Sequence, residues 1–245
     1  MQKIIKHLKK NNTNFNNEIV IYSDLVKLII DNKLSKADLN NFLDEILNIL
    51  LTKDRTIIMP SFINPVKNEI INLDQKKSQT GVLSEIFRNK SNVLRTKSPF
   101  FSWLALGKEK YTFSKLNPLY EWSKNSTLEW MEEKNSTFLI IGSYPSNNTF
   151  LHRIELKNKV NYRKWEEYTN KIIYMGEKFN HRQFYFELKK NYSHRDYTKL
   201  FKNLNHKELN INYVSNIPIS YYSAKSLEKI YGKILKNDSY FRDGI

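Results

Sequence analysis

Apolar residues along the chain follow two rhythms. Glu18–Tyr22, Thr56–Met59 and Thr137–Ile141 are short, β-branched runs flanked by polar residues, the pattern of buried strands. Elsewhere apolar positions recur every three or four residues: Leu25, Leu28, Ile29 and Ile30; Leu39, Phe42, Ile46, Leu47 and Leu50; and Val82, Leu83, Ile86 and Phe87. Each such stretch predicts a helix with one buried face. Ser23-Asp24 and Ser35 offer N-cap chemistry to the first two, and Thr80 precedes the third. A strand is expected at Ser102–Leu106, short helices at Pro118–Trp122 and Ser126–Met131, and a helix from near Thr149. Beyond Lys159, strands are expected at Lys171–Tyr174 and Phe184–Leu188, and a helix around Asp196–Leu204. A loop around Pro218 and a helix over Ala224–Leu235 complete the chain. Strand–helix alternation of this kind predicts a three-layer α/β/α sandwich with a central mixed sheet. With no repeat and no sharp break in composition, residues 1–245 are expected to form a single domain.

Composition narrows the function classes. Hydrophobic residues make up 40% of the chain and aromatics 13%, enough for a core and too many for disorder. The absence of cysteine excludes disulfides, a Cys-based zinc site and a thiol nucleophile. No apolar stretch is long enough to span a bilayer, and MQKIIKHLKK lacks the apolar block and cleavage site of a signal peptide. A soluble, cytoplasmic protein is expected, without membrane insertion. Forty Lys and Arg against 25 Asp and Glu leave a net charge of +15, which attracts polyanions. The basic residues are dispersed and no nucleic-acid-binding motif accompanies them, so nucleic acid is not the expected partner.

The segment from Gly142 to Glu155 carries the chemistry. A strand ends at Gly142, the chain turns through SYPSNN, and a helix follows; ligands of open α/β sheets bind at such strand ends. His152 and Glu155 are three residues apart, on one helix face. A carboxylate beside an imidazole fixes its orientation and raises its basicity, as a general base requires. The pair alone is more often a surface helix contact. The five histidines, at 7, 152, 181, 194 and 206, form no H-E-x-x-H or close pair, and there is no D-x-D-x-D-G loop, so no metal is expected. Neither a G-x-S-x-G elbow, a P-loop nor a G-x-G-x-x-G fingerprint is present.

Several segments together resemble the aminoglycoside 3-N-acetyltransferase family. The T-x-L-H-x-x-E stretch of that family is similar to Thr149–Glu155, and its V-H-S-S-L element to Ile21–Leu25. Its M-P-T-F strand end looks like Met59–Phe62, its G-V-L-x-E-x-F-R helix like Gly81–Arg88, and its R-S-x-H-P-x-x-S-x-x-A-x-G segment like Arg95–Gly107. These fall in order across roughly residues 18–155. The family's early histidine is Tyr22 here, its histidine before proline is Ser98, and its Gly-Ser-Pro element survives only as Ser126-Thr127. The resemblance implies an enzyme moving an acetyl group from acetyl-CoA to the amine of an amino sugar. His152 would be the general base, Glu155 its orienting partner, and Ser23, Thr80, Gly81, Arg95, Thr96, Ser98 and Ser102 would contact the cofactor. Because the acidic substrate residues of aminoglycoside-modifying relatives are not evident, the expected acceptor is a nucleotide-linked amino sugar for surface-polysaccharide biosynthesis. An aminoglycoside acceptor and a non-catalytic, nucleic-acid-associated role stay open as alternatives, and a homo-oligomer is compatible with the chain. The aromatic stretch Trp165–Tyr174 is read as core rather than site.

Overall fold

The computed structural model describes residues 1–64, 66–145, 147–190, 192 and 209–237. Its centre is three parallel strands, β1 (Glu18–Ser23), β2 (Thr56–Pro60) and β6 (Thr137–Ile141), with β1 in the middle; Ile19 pairs with Ile57 on one side and Thr137 on the other. Antiparallel strands extend both edges: β5 (Trp103–Gly107) and then β4 (Leu94–Arg95) beside β2, and β10 (Ile217–Ser223) and then β9 (Asn212–Val214) beside β6. The sheet therefore has seven strands and is mixed, in the order β4-β5-β2-β1-β6-β10-β9.

The apolar runs of β1 and β6 are unbroken because helices cover both faces. Ile19, Ile21, Leu139 and Ile141 point to one layer, with α1 (Gln2–Asn11), α2 (Val26–Asn32), α3 (Lys36–Leu50) and α4 (Val82–Arg88). Val20, Tyr22, Phe138 and Ile140 point to the other, with α5 (Lys110–Ser114), α6 (Thr127–Glu133), α7 (Phe150–Lys157) and the helix Ala224–Asn237. This is the expected three-layer sandwich.

Local chemistry explains the element starts. Ser35 and Asp38 form a reciprocal capping box on α3, and Ser126 Oγ accepts the Glu129 N–H at the start of α6. Ser23 does not cap α2. It is the last residue of β1, and Asp24 Oδ1 takes the Val26 N–H instead at 3.1 Å.

A second sheet was not legible in the sequence. β3 (Ile70–Asn72) pairs in parallel with β7 (Arg163–Tyr174), which forms a hairpin with β8 (Glu177–Leu188). The hairpin closes on Met175 and Gly176, both at positive φ, the geometry of a two-residue primed turn. Its strands are twelve residues each, longer than the expected Lys171–Tyr174 and Phe184–Leu188. Tyr168, Ile172, Tyr174 and Tyr185 bury on one side of it with Ile63 and Phe100.

Two further expectations are corrected. Pro118–Trp122 is not helical: it runs alongside β8, where the Glu121 N–H donates to Phe184 O and the Phe184 N–H to Leu119 O, each at 2.8 Å. Pro218 lies within β10 rather than in a loop, near the sheet edge, where proline costs few ladder bonds. The helix expected around Asp196–Leu204 lies outside the described residues. Among the described residues no helix is long and apolar enough to cross a membrane.

Candidate active site

The carboxyl ends of β1, β2 and β6 open into a cleft of about 540 Å³, lined in part by Tyr22, Ser23, Pro60, Thr80, Gly81 and Thr149. Gly142 makes its floor possible. At φ +84°, a β-carbon on it would sit 1.8 Å from the Asp24 carbonyl oxygen. Without that atom the β1–α2 turn closes on β6, and the Asp24 N–H donates to Ile141 O at 2.9 Å. Gly81, at φ +106°, likewise lets the loop before α4 approach; a β-carbon there would lie 3.1 Å from Ser23 O.

Of the seven residues expected at the cofactor, Ser23, Thr80 and Gly81 line this cleft. The Ser23 hydroxyl is buried and, among the described residues, has no hydrogen-bond partner. The Thr80 hydroxyl donates to Pro60 O at 2.6 Å. The other four residues lie elsewhere. Arg95 is 8% exposed and its guanidinium makes four hydrogen bonds: to Ser102 Oγ at 2.9 Å, Leu73 O at 2.9 Å, Lys76 O at 2.8 Å and Ser61 O at 2.8 Å. Ser102 Oγ donates to Ser61 O, Thr96 Oγ1 accepts the Trp103 N–H, and Ser98 Oγ donates to Gln183 Oε1. Those four side chains bond within the protein rather than line this cleft.

His152 and Glu155 stand on α7, whose Phe150, Leu151 and Ile154 anchor it in the core. Asn148 Oδ1 accepts the Phe150 N–H at 2.9 Å, and the Thr149 N–H donates to the Tyr22 hydroxyl at 3.3 Å. The start of the helix is thus tied to the end of β1, one turn before His152. Burial pushes the hydroxyl pKa of Tyr22, the residue expected from the sequence in place of the family's early histidine, well above the usual range, so it is a neutral donor or acceptor.

Glu155 is completely buried. Its Oε1 accepts from the Tyr162 hydroxyl at 2.9 Å and the Tyr231 hydroxyl at 3.0 Å. Its Oε2 accepts from Arg163 Nε at 2.7 Å and faces His152 Nδ1 at 2.9 Å. Arg163 Nη2 also reaches Nδ1, at 2.9 Å. The imidazole packs on the Trp122 ring, centroids 4.9 Å apart, and about a quarter of its side chain is exposed. When Nδ1 carries the proton and donates to Glu155, Nε2 presents a lone pair, the arrangement a general base needs. Sequence reasoning missed Tyr162, Arg163, Tyr231 and Trp122. They come from β7 and the residue before it, the last helix and an irregular loop, so no periodicity ties them to His152. No group of three or more His, Asp or Glu that could hold a metal occurs among the described residues.

The sequence profile of the aminoglycoside 3-N-acetyltransferase family matches residues 40–236. The chain belongs to that family. As an aminoglycoside 3-N-acetyltransferase family member it also shares the fold of several solved structures. The aminoglycoside acetyltransferase AAC(3)-Xa is 12% identical, with a TM-score of 0.77 over 99% of this chain and 93% of that one. The YokD protein from Bacillus subtilis is 20% identical, with a TM-score of 0.73 over 97% and 99%. The structure of AAC-IIIb as a binary complex with CoASH is 13% identical, with a TM-score of 0.70 over 95% and 96%. Comparison with curated protein sequences gives no match. None of these findings supports a surface-polysaccharide branch of the family.

Proposed function

We propose that this N-acetyltransferase, with acetyl-CoA as its donor, acetylates an amine of an aminoglycoside, and that His152 is its general base. The observation that carries the mechanism is the 2.9 Å contact between His152 Nδ1 and a fully buried Glu155, one helical turn from the cleft. An ammonium has no lone pair, so the acceptor amine must give up a proton before or as it attacks the thioester carbonyl. His152 Nε2 takes that proton, and Glu155 holds the ring and favours the imidazolium that forms. The carbonyl oxygen gains charge as the new C–N bond forms and needs a donor. Ser23 lines the cleft, and a turn about its Cα–Cβ bond would bring its buried hydroxyl, without a partner among the described residues, to that oxygen, whereas the Thr80 hydroxyl is already spent on Pro60 O. The C–S bond then breaks, and the departing coenzyme sulfur takes up the second proton that the nitrogen sheds on becoming an amide.

The family supports an aminoglycoside acceptor better than the nucleotide-linked amino sugar expected from the sequence. A related structure, that of AAC(3)-IVa, was solved in complex with a gentamicin. Incubation with acetyl-CoA and a panel of aminoglycosides and nucleotide amino sugars, following thiol release, tests the choice. Turnover of an aminoglycoside is expected. Turnover confined to a nucleotide sugar would reverse the acceptor assignment while leaving the His152 mechanism intact.

A further inference from the structure

Beside the buried carboxylate that the sequence placed next to His152, the structure puts a cation. Arg163 opens β7 and its side chain is 7% exposed. Among the described residues its guanidinium donates Nε to Glu155 Oε2 at 2.7 Å and Nη1 to Phe186 O at 3.2 Å, and Nη2 stands 2.9 Å from His152 Nδ1, which accepts from it only when that nitrogen carries no proton. The contact with the β8 backbone locks the fork in place. Glu155 and Arg163 therefore converge on one imidazole nitrogen, with opposite effects. The carboxylate favours the protonated ring. A guanidinium at hydrogen-bonding distance disfavours it, since an imidazolium there would set two like charges 2.9 Å apart.

We propose that Arg163 is a positioning residue that sets the charge state of His152. It holds Glu155 Oε2 where Nδ1–H can donate to it. Its charge also offsets the carboxylate, so the imidazole stays neutral at working pH. The neutral tautomer with Nδ1–H donated to Glu155 leaves the Nε2 lone pair, whereas the one in which Nδ1 accepts from Arg163 Nη2 carries its proton on Nε2. A carboxylate acting alone favours a protonated ring, and a protonated ring cannot accept a proton from the ammonium. Among the described residues, the other groups in this cluster bear on Glu155 or on the ring face without charge. Tyr162, just before β7, and Tyr231 from the last helix donate to Oε1, and Trp122 covers the ring. Arg153, the neighbour of His152 in sequence, turns away to Glu129 and Glu132. Among the described residues, Arg163 is thus the cation that the geometry brings to Nδ1.

This inference rests on His152 acting as the base, but its test does not need turnover. Isotope-edited NMR of the imidazole, titrated in the folded protein, reads both the protonation midpoint and the tautomer. Arg163→Gln is expected to raise the His152 midpoint by about one pH unit or more. The same variant should lose kcat by about tenfold below that midpoint, with much of the loss recovered at higher pH and KM for acetyl-CoA unchanged. Arg163→Lys keeps the charge without the fork; it should hold the midpoint near wild type while losing part of kcat. An identical midpoint and tautomer in wild type and a folded Arg163→Gln would overturn the proposal, as would a midpoint that falls. Should Arg163→Gln not fold, the Arg163→Lys protein carries the test, and a midpoint raised by about one pH unit or more despite the retained charge would overturn it. A shifted midpoint in a protein that stays active without His152 would instead refute the base assignment and leave the charge coupling standing.

Discussion

Arg95 shows how a residue type can suggest one role and its hydrogen bonds another. An arginine in a loop matched to a coenzyme-binding family invites a phosphate contact, yet four of its five N–H groups donate to protein oxygens. Burial lowers its pKa to about 10, still charged at neutral pH. Arg95→Ala removes the charged donor to Leu73 O and Lys76 O and leaves Ser61 O and Ser102 Oγ only each other, so a stability loss of about 2–4 kcal/mol is expected, with KM for acetyl-CoA unchanged per folded molecule. Denaturant unfolding and steady-state kinetics on one preparation check this. Glu121 makes a different residue-scale statement. Burial raises its pKa to about 8, although Gln183 Nε2 donates to it at 2.7 Å, and its Oε1 has no partner among the described residues. A carboxyl that stays protonated when folded but ionises when unfolded loses the folded state stability as pH rises from the ordinary carboxylate range to about 8. Glu121→Gln removes that slope. Its melting temperature at pH 8 should exceed wild type's, by about 2–4 °C per kcal/mol recovered for a chain of this length, and the gap should close near pH 4.

At the scale of elements, what the sequence revealed was what periodicity can reveal. β1, β2 and β6 are short and apolar on both faces, and α3 and α4 repeat their apolar positions helically, so all five were legible. β7 and β8 were only partly so, because their buried residues alternate with lysine, glutamate and threonine and the hairpin reads as polar. α1 was passed over because its lysines obscure Ile4, Ile5 and Leu8, which bury against α3. In the site, His152 and Glu155 were visible as one helical face, whereas Arg163 and Tyr231 reach Glu155 only through the fold. Gly142 is the junction that holds these elements in register. Gly142→Ala would force a clash with the Asp24 carbonyl and a strained positive φ, so a loss of about 2 kcal/mol or more is expected. Because the β1–α2 turn also walls the cleft, kcat/KM should fall in the folded fraction. Retained activity with lost stability would separate the turn from the site.

The whole molecule carries a net charge of +15 yet belongs to a family named for polycationic acceptors. Long-range attraction should draw in anionic acetyl-CoA and repel an aminoglycoside, and salt screens both. Raising the salt concentration is therefore expected to raise KM for acetyl-CoA and lower KM for the aminoglycoside. Parallel changes in the two constants would mean that local contacts, not the global charge, govern binding.

The most direct test is kcat of His152→Ala, measured with thermal stability on the same sample. A general base at Nε2 predicts a fall of roughly 10²–10⁴ in kcat with coenzyme affinity nearly intact and the protein folded. His152→Asn should fail alike, since an amide cannot take the proton, and Glu155→Gln should be milder in kcat. Full activity per folded His152→Ala molecule would contradict the mechanism.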